Sequence, residues 1–393
     1  MVSLSLKEAR LWWSAAQGLD EPRDEPLHET VARTGWLRTL GGAEPYLGLS
    51  LRNSSFTVQG MHDAVAARQL RVSPGPRGCI YLIPQAHAGL ALRLAHRLSA
   101  TRNARDVTKA GVKTGELKAV GEAIVEVLRA GPQSTQSLRK VLPKGAVRSL
   151  GDVGKKVGIT STLPPALRVL EFDGQIFRKA AQDRLDHERY DWHLDPSPVE
   201  QVEAAEDDLT LAQLFFQWAG PATQAEFAAW SGLNQTQSKK AMARGELTPL
   251  NIEGLTETYY GSAKPSGGTK KRAVYVPAMD NIYALRKKAA PMVDAQHHEV
   301  EASNFGAGGR KRLADMSQPI ERTILCQGQV VGLWAWDPMD ESIVQHALQG
   351  PKVSAAEGKR VHKVISELGT GRVFSIDSEK RMGARADRLR ALG

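Results

Sequence analysis

Apolar residues recur at spacings of three and four positions along much of the chain, which is the pattern of helices that bury one face. The pattern is clearest in two similar segments, AIVEVLRAGPQSTQSLRKVL from Ala123 and LAQLFFQWAGPATQAEFAAWSGL from Leu211. In each, an amphipathic stretch ends at Ala-Gly-Pro and a helix-capping residue follows, Ser134 or Thr223, with Glu226 completing a capping box in the second copy. Each segment therefore predicts two helices joined by a tight turn.

The residues after each segment predict a third helix and a β-hairpin. Following the first segment, LPPALRVLEF from Leu163 predicts a helix, and Asp173-Gly174 between apolar runs predicts a hairpin turn. Following the second, NQTQSKKAMA predicts a helix, while LTPLNIEGLTETYYG and RAVYVPAMD predict strands. Three helices closed by a β-hairpin form a winged helix. The N-terminal part of the chain, with three helical stretches followed by the strand-like RGCIYLIP, fits a further unit of this kind.

These patterns predict an α+β protein with tandem winged-helix domains and a small C-terminal α+β segment. The expected domains are residues 1–115, 116–195 and 196–280, and the C-terminal segment is 281–393. The acidic stretch 183–208 is interpreted as a connection between the second and third domains. In the last segment, TILCQGQVVGLWAWD predicts strands with Gln327-Gly328 as the turn, and VSAAEGKRVHKVISEL predicts a helix.

Charge and composition narrow the function classes. The chain has 393 residues, with 52 Lys and Arg against 43 Asp and Glu, and a formal net charge of +9 that favours a polyanionic partner such as double-stranded DNA. The two cysteines, Cys79 and Cys326, exclude a disulfide framework and a Cys-rich zinc site. No long apolar run, P-loop ending or His-Glu-x-x-His sequence occurs. We therefore expect a cytoplasmic protein with no membrane segment, metal ion or cofactor.

Basic residues interleaved with polar ones lie where a winged helix contacts DNA. Glutamine can read base edges, and lysine can position phosphates. The candidate DNA-binding residues are Gln235, Gln237, Lys239 and Lys240 in the third helix of the third domain, Lys144, Arg148, Lys155 and Lys156 in the second domain, and Lys270, Lys271 and Arg272 at a basic strand connection. The alternative for each cluster is an ordinary solvated surface.

Five segments along the chain carry a resemblance to a known family. They are LSLKEARLWWSAAQGL near the start, PYLGLSLR from Pro45, RGCIYLIP from Arg77, AGPATQAEFAAWSGL from Ala219, and GQVVGLWAWD near the end. In this order they resemble the AlkZ/YcaQ-like bacterial proteins, which carry tandem winged-helix domains and several of which are DNA glycosylases. The resemblance implies binding to double-stranded DNA and a role in DNA repair or protection.

The chain departs from this family at two places. The glycosylases carry Gln-x-Gln or Gln-x-Asp before the Pro-Tyr-Leu segment, whereas this chain has Arg38-Thr39-Leu40. Arginine only donates hydrogen bonds and leucine has no polar atom, so neither can hold the attacking water as glutamine does. The Thr-Leu-His-like run after Arg-Gly is replaced by Cys79-Ile80-Tyr81. We therefore predict that the family's catalytic motif is not retained.

Alternatives remain open at this point. An active DNA N-glycosylase, a hydrolase of alkylated or bulky bases, would need a substituted catalytic set, for which Arg38 and Glu44 are the candidates. Trp36 and Tyr46 would stack on an extruded base or pack in the core. A transcriptional regulator is a further alternative, but no heptad pattern for a dimerising helix is found. The sequence thus favours a monomeric, nucleoid-associated DNA-binding protein and leaves open whether it is an enzyme.

Overall fold

The computed structural model describes residues 2–195, 199–262, 271–303, 309–317 and 319–392. Helices and mainly antiparallel sheets alternate along the chain, so the predicted α+β class is confirmed. Three successive parts of the chain, here called the first, second and third repeats, share one order of elements: a helix, a short strand, at least two helices and two strands. A C-terminal segment follows the third repeat. None of the helices in the described ranges is long and apolar enough to span a membrane.

The first repeat runs from α2 to β4 and forms a three-stranded sheet of order β2-β4-β3. It is preceded by β1 and α1 and followed by the long helix α5. Ser5 and Glu8 form a capping box that starts α1. The elements are β1 (Val2–Leu4), α1 (Leu6–Ala16), α2 (Leu27–Thr34), β2 (Leu37–Arg38), α3 (Glu44–Arg52), α4 (Val58–Ala66), β3 (Leu70–Pro74), β4 (Ile80–Pro84) and α5 (Ala88–Lys109).

The second repeat forms a sheet of order β5-β7-β6. Its elements are α6 (Thr114–Arg129), β5 (Gln133–Ser134), α7 (Thr135–Val141), α8 (Gly151–Lys155), α9 (Leu163–Phe172), β6 (Ile176–Ala180) and β7 (Tyr190–Leu194). The predicted cap is confirmed, because the Ser134 side chain accepts a hydrogen bond from the Ser137 amide.

Two predictions for the second repeat are wrong. Asp173 and Gly174 turn the chain from α9 into β6, and the hairpin turn lies between residues 180 and 190. The acidic stretch 183–208 is not merely a connection, because β7 lies within it and pairs with both β5 and β6. The acidic composition obscured the strand, although Trp192 is buried between its more exposed neighbours, as a one-sided strand requires.

The third repeat forms a sheet of order β1-β9-β10-β8, to which the N-terminal strand β1 is added in parallel with β9. Its elements are α10 (Ala204–Ala219), β8 (Ala222–Thr223), α11 (Gln224–Ser231), α12 (Gln235–Arg244), β9 (Thr248–Ile252) and β10 (Tyr259–Gly261). The predicted capping box of Thr223 and Glu226 is confirmed. Asn234 and Gln237 form another box at the start of α12.

The C-terminal segment contains a four-stranded sheet of order β11-β14-β15-β16 and a separate hairpin, β12-β13. Its elements are β11 (Ala273–Val276), α13 (Asn281–Ala284), β12 (Glu301–Ser303), β13 (Arg310–Arg312), β14 (Arg322–Cys326), β15 (Gln329–Asp337), β16 (Ser342–Ala347), α14 (Ala355–Leu368) and α15 (Glu379–Leu392). The predicted Gln327-Gly328 turn is confirmed, with φ of 51° and 74°. The strand expected in RAVYVPAMD is β11, which pairs with β14 rather than with the third repeat.

The buried apolar side chains are shared unequally among these parts. One large cluster takes members from the first repeat, the third repeat and the C-terminal segment, such as Val31, Tyr46, Phe215, Trp218, Trp334 and Ile365. The second repeat surrounds its own cluster, formed by residues such as Ile124, Leu138, Leu167, Ile176 and Trp192. Among the described residues of the second repeat, Ala180 and Leu185 are the buried members of the large cluster. The second repeat therefore has a largely separate core.

Candidate functional site

The register of the first repeat's sheet brings the two unusual sequence segments together. In the antiparallel pairing, Arg38 of β2 lies opposite Tyr81 of β4. Directly opposed residues project from the same face of a sheet, and residues two apart on one strand share that face. The side chains of Arg38, Cys79 and Tyr81 therefore belong to one face. The two segments at which the sequence departs from the family's expected motifs are therefore neighbours in the sheet.

Tyr81 is the buried centre of this site. Its ring packs against those of Trp36 and Trp230, with centroid distances of 6.1 and 6.3 Å. Its hydroxyl is buried, yet no hydrogen-bond partner of normal geometry is found for it in the described chain. Burial raises the pKa of Tyr81 to about 12, while the nearby guanidinium groups of Arg77 and Arg38 act in the opposite direction. The hydroxyl therefore remains protonated and faces cationic neighbours.

Arg77 lies in a tight turn, Pro76–Gly78, that leads into β4. Its backbone is in the left-handed region, with φ of 61°, which is strained for a residue other than glycine. Its side chain packs against Gly232 at the end of α11. A Cβ added to Gly232 would lie 2.8 Å from Arg77 Cγ. On the other side, Arg102 of α5 donates a hydrogen bond to the Arg77 carbonyl oxygen at 3.2 Å. The turn is thus held between α5 and the third repeat.

Two further arginines lie beside this turn. Arg168 of α9 donates a hydrogen bond to Asn103 Oδ1 at 3.3 Å. Burial, followed by the charges of Arg178 and Arg102, lowers the pKa of Arg168. Within the described ranges, none of Arg77, Arg102 and Arg168 forms an ion pair. We call the set Arg38, Arg77, Arg102 and Arg168, together with Cys79 and Tyr81, the arginine recess.

Glu44, the candidate catalytic carboxylate, is engaged in a structural contact. Its Oε1 accepts hydrogen bonds from the Arg322 guanidinium, and its Oε2 accepts one from the Ala278 amide. Burial raises the pKa of Glu44, and Arg322 opposes that shift. A cavity of about 20 Å³ that Glu44 lines with Arg38 has room for one water molecule and not for a nucleotide. The carboxylate ties α3 to the C-terminal segment.

The candidate base-stacking residues lie in the core. Trp36 is 1% exposed, donates a hydrogen bond from Nε1 to His87 Nδ1 at 2.9 Å, and packs against Trp218. The Tyr46 hydroxyl accepts a hydrogen bond from the Leu185 amide at 2.8 Å. Neither ring presents a face to solvent on which a base could stack.

The candidate DNA-binding residues of the third repeat separate into two groups. Lys239 and Lys240 are exposed on α12, and neither forms an ion pair within the described part of the chain. The two glutamines form hydrogen bonds within the protein. Gln237 caps the Asn234 amide, and Gln235 Oε1 accepts a hydrogen bond from Gln224 at 3.1 Å.

The basic strand connection is only partly described. Lys270 lies outside the described residues, and Lys271 is exposed. Arg272 forms an ion pair with Glu357 and donates hydrogen bonds to the carbonyl oxygens of Leu19 and Leu51, each at 3.2 Å. Arg272 is therefore engaged in internal contacts, which a phosphate would have to displace.

The second repeat presents the remaining candidates. Lys144 and Lys156 are exposed without an ion pair among the described residues. Lys155 is paired with Asp152 at 2.9 Å. Arg148 is paired with Glu116 at 2.8 Å and also donates a hydrogen bond to the Gly111 carbonyl oxygen at 3.0 Å. Lys144 and Lys156 are therefore the candidates here that keep their charge free for a partner.

Most of the arginine recess leaves no recognisable pattern in the sequence. Arg77 was noted only as part of the RGCIYLIP segment, and Arg102 and Arg168 were not singled out. They come from three elements far apart in the chain, so no spacing pattern could have joined them. No group of three or more His, Cys, Asp or Glu side chains is placed to hold a metal ion in the described ranges.

The fold and the site define an α+β protein of repeated helical units with an arginine-lined recess between them. The family model described as "DNA glycosylase AlkZ-like" matches residues 31–370, so the chain belongs to the AlkZ-like DNA glycosylase family. This confirms the resemblance found in the sequence.

A solved structure has a similar fold. The DNA glycosylase AlkZ of Streptomyces sahachiroi shares the fold, with a TM-score of 0.69 and 17% sequence identity over 94% of this chain and 98% of that one. No match is found among curated proteins. At this level of identity the likeness shows the fold alone.

Proposed function

We propose that this protein binds double-stranded DNA in repair or protection and does not hydrolyse the N-glycosidic bond. The observation that carries the proposal is Arg38, which stands beside Tyr81 where the family's glycosylases have the first glutamine of their motif. The family membership supports DNA as the partner.

Charge at the site supports the absence of hydrolysis. Cleavage of an N-glycosidic bond develops positive charge on the sugar, which an enzyme stabilises with acceptors and negative charge. Two like unit charges at about 4 Å repel by about 4 kcal/mol at an effective dielectric constant of 20. Arg38 and Arg77 would impose such a penalty on the sugar cation. Glu44, bonded to Arg322 and to Ala278, has its oxygens committed elsewhere.

The proposal includes three winged-helix domains, residues 1–115, 116–195 and 196–280, with 281–393 as the C-terminal segment. The shared order of elements in the three repeats supports three such domains. The elements differ from two of the bounds, since α6 begins at Thr114 and β11 pairs with the sheet of the C-terminal segment. In the third domain α12 would be the recognition helix, with Lys239 and Lys240 on its exposed side. Lys144 and Lys156 would contribute phosphate contacts from the second domain.

We also propose that the protein acts as a monomer on the nucleoid, without a metal ion or cofactor. The exposed lysines of α12 and of the second repeat, together with the net charge of +9, support contact with DNA phosphates.

The test measures base release and binding on the same DNA. Purified protein is incubated with duplexes carrying alkylated purines or an interstrand crosslink, and alkaline cleavage reveals any abasic sites, with a glycosylase active on the same lesions as positive control. We expect tight, salt-sensitive binding and no abasic sites. Abasic sites above background would establish a glycosylase with a substituted catalytic set. A strong preference for one undamaged sequence would instead favour a transcriptional regulator.

A further inference from the structure

We propose that the arginine recess binds a phosphate group of DNA, with Arg77, Arg38 and the Tyr81 hydroxyl as donors to its oxygens. The inference rests on the proposed function, because DNA is the ligand that brings the phosphate. It assigns to this site a task different from base release: holding an anion where a glycosylase would stabilise a cation.

Unsatisfied donors point to a ligand rich in acceptors. The Tyr81 hydroxyl, the Ser99 hydroxyl and Arg77 Nε are buried, and none has a hydrogen-bond partner of normal geometry in the described chain. Tyr81 and Ser99 are each 1% exposed. A buried polar group left without a partner costs about 1–3 kcal/mol. Because Arg77 Nε can only donate and both hydroxyls can donate, one phosphate with several acceptor oxygens suits all of them.

The distribution of charge points in the same direction. Arg77, Arg102 and Arg168 lack ion pairs in the described ranges, and Arg168 is close enough to Arg102 and Arg178 for their charges to lower its pKa. Two carboxylates, Glu171 and Asp106, oppose this shift, and Glu171 is already bound in a two-pronged contact to Arg178, at 2.7 and 2.6 Å. An anion in the recess would relieve this repulsion, and the planar fork of arginine matches the geometry of phosphate oxygens.

The recess is also fixed in shape before any ligand arrives. The turn that carries Arg77 is closed by hydrogen bonds from the Gly75 amide to the Cys79 carbonyl and from the Gly78 amide to the Gly75 carbonyl, each at 2.9 Å. The left-handed backbone of Arg77 is thus imposed by its surroundings. Preorganised donors bind more tightly because little conformational entropy is lost on binding.

Two kinds of DNA phosphate share this chemistry: an internal phosphodiester and the terminal phosphate at a nick. The experiment therefore uses three duplexes of the same sequence: intact, nicked with a 5′-hydroxyl, and nicked with a 5′-phosphate. Binding is measured by fluorescence anisotropy as a function of salt for the wild type, Arg77→Gln and Tyr81→Phe. Arg381→Gln, at an exposed arginine on α15, is the matched control.

The two sources give different results. If the recess takes a terminal phosphate, the wild type binds the 5′-phosphate nick about tenfold more tightly than the 5′-hydroxyl nick, and Arg77→Gln removes the difference. If it takes an internal phosphodiester, Arg77→Gln weakens binding to all three duplexes and lowers the salt slope by about 0.9. Tyr81→Phe weakens the same interaction with little loss of thermal stability, because the hydroxyl that it removes makes no hydrogen bond of normal geometry among the described residues.

A second measurement separates this inference from the proposed function. Thermal unfolding is followed in sodium phosphate and in sodium chloride of equal ionic strength. We expect phosphate to raise the Tm of the wild type and of Arg381→Gln, and to raise that of Arg77→Gln less. A wild type that binds no duplex but keeps this difference would refute the proposed function and leave the phosphate site standing. Equal shifts in all proteins, with unchanged DNA binding in both recess variants, would overturn the inference.

Discussion

Several charged side chains in the core are paired with residues far away in the sequence. Arg52, which is fully buried, binds both carboxylate oxygens of Asp280 at 2.9 and 2.6 Å. Glu44 pairs with Arg322, and this pair also joins α3 to the C-terminal segment. Such pairs contribute little net stability when intact, but the loss of one partner leaves a buried charge without compensation.

At Glu44 this asymmetry gives a direct test of its role. Glu44→Gln should lower the free energy of unfolding by about 3 kcal/mol, because Arg322 would keep its charge with no carboxylate beside it. Urea unfolding measures the loss, and Glu29→Gln, at an exposed position, is expected to change stability by less than about 0.5 kcal/mol. A variant of normal stability that releases no bases, compared with a wild type that does, would instead mark Glu44 as catalytic.

His87 makes the free energy of unfolding depend on pH. Its Nδ1 accepts a hydrogen bond from Trp36, and burial lowers its pKa. A histidine whose pKa is lower in the folded state stabilises the protein above its unfolded pKa of about 6.5, and this stability is lost as the pH falls. We expect the free energy of unfolding to decrease between about pH 7 and pH 5, and less steeply in His87→Asn. Parallel pH profiles for the two proteins would exclude His87 as a source of the pH dependence of stability.

His62 and His193 set the background for that measurement. Burial lowers the pKa of both, so they act in the same direction and the variant should retain part of the pH dependence. The contribution of His87 is the difference between the two profiles.

Residue roles were predictable from the sequence only where they depend on near neighbours. The capping role of Thr223 with Glu226 follows from a spacing of three residues, and the structure confirms it. The pairing of Glu44 with Arg322 spans 278 residues and leaves no local pattern. The sequence singled out Arg38, whereas the position of Tyr81 opposite it follows only from the sheet register.

At the scale of elements, α12 illustrates how one helix divides its residues between stability and binding. Its first turn is committed to the capping box of Asn234 and Gln237. Lys239 and Lys240 follow on the exposed side. A base contact by Gln237 would have to replace its capping bond to the Asn234 amide, whereas the two lysines can contact a partner without breaking a bond of the cap.

Charge reversal on α12 tests this assignment. Lys239→Glu/Lys240→Glu should weaken duplex binding regardless of sequence and reduce the salt slope by about 0.9 for each lost phosphate contact. Electrophoretic mobility shifts over a range of salt measure both quantities. Lys380→Glu/Arg381→Glu makes the same charge change on the exposed side of α15 and is expected to alter the slope less. Identical slopes in the two double variants would mean that only net charge matters.

Strands were harder to predict than helices. The helices α9, α12 and α14 follow from apolar spacing within each stretch, and the structure confirms them. Strand β7 was missed and β11 was assigned to the wrong sheet, because the partner of a strand is decided by distant residues. The pairing of β1 with β9 is also hard to predict, because these two strands lie far apart in the chain.

At the scale of the whole molecule, the division of the core predicts two units of cooperative unfolding. The second repeat packs around its own cluster, whereas the first repeat, third repeat and C-terminal segment share one. Native-state hydrogen exchange in low denaturant should show the amides of α6, α9 and β6 opening together, with a free energy below that of α3 and α10. Ile124→Ala, in the smaller core, should lower the first value by about 2–5 kcal/mol and leave the second nearly unchanged. A single opening free energy for all these elements would contradict the division.

The separate core of the second repeat also bears on how that repeat is attached to the rest of the protein. Among its described residues, Ala180 and Leu185 are the buried members of the large cluster, so much of the attachment falls to polar contacts. The Leu185 amide donates a hydrogen bond to the Tyr46 hydroxyl, and Asp195 pairs with Arg71 of β3 at 2.8 Å. Because hydrogen bonds are directional, these contacts fix the orientation of the second repeat as well as its position.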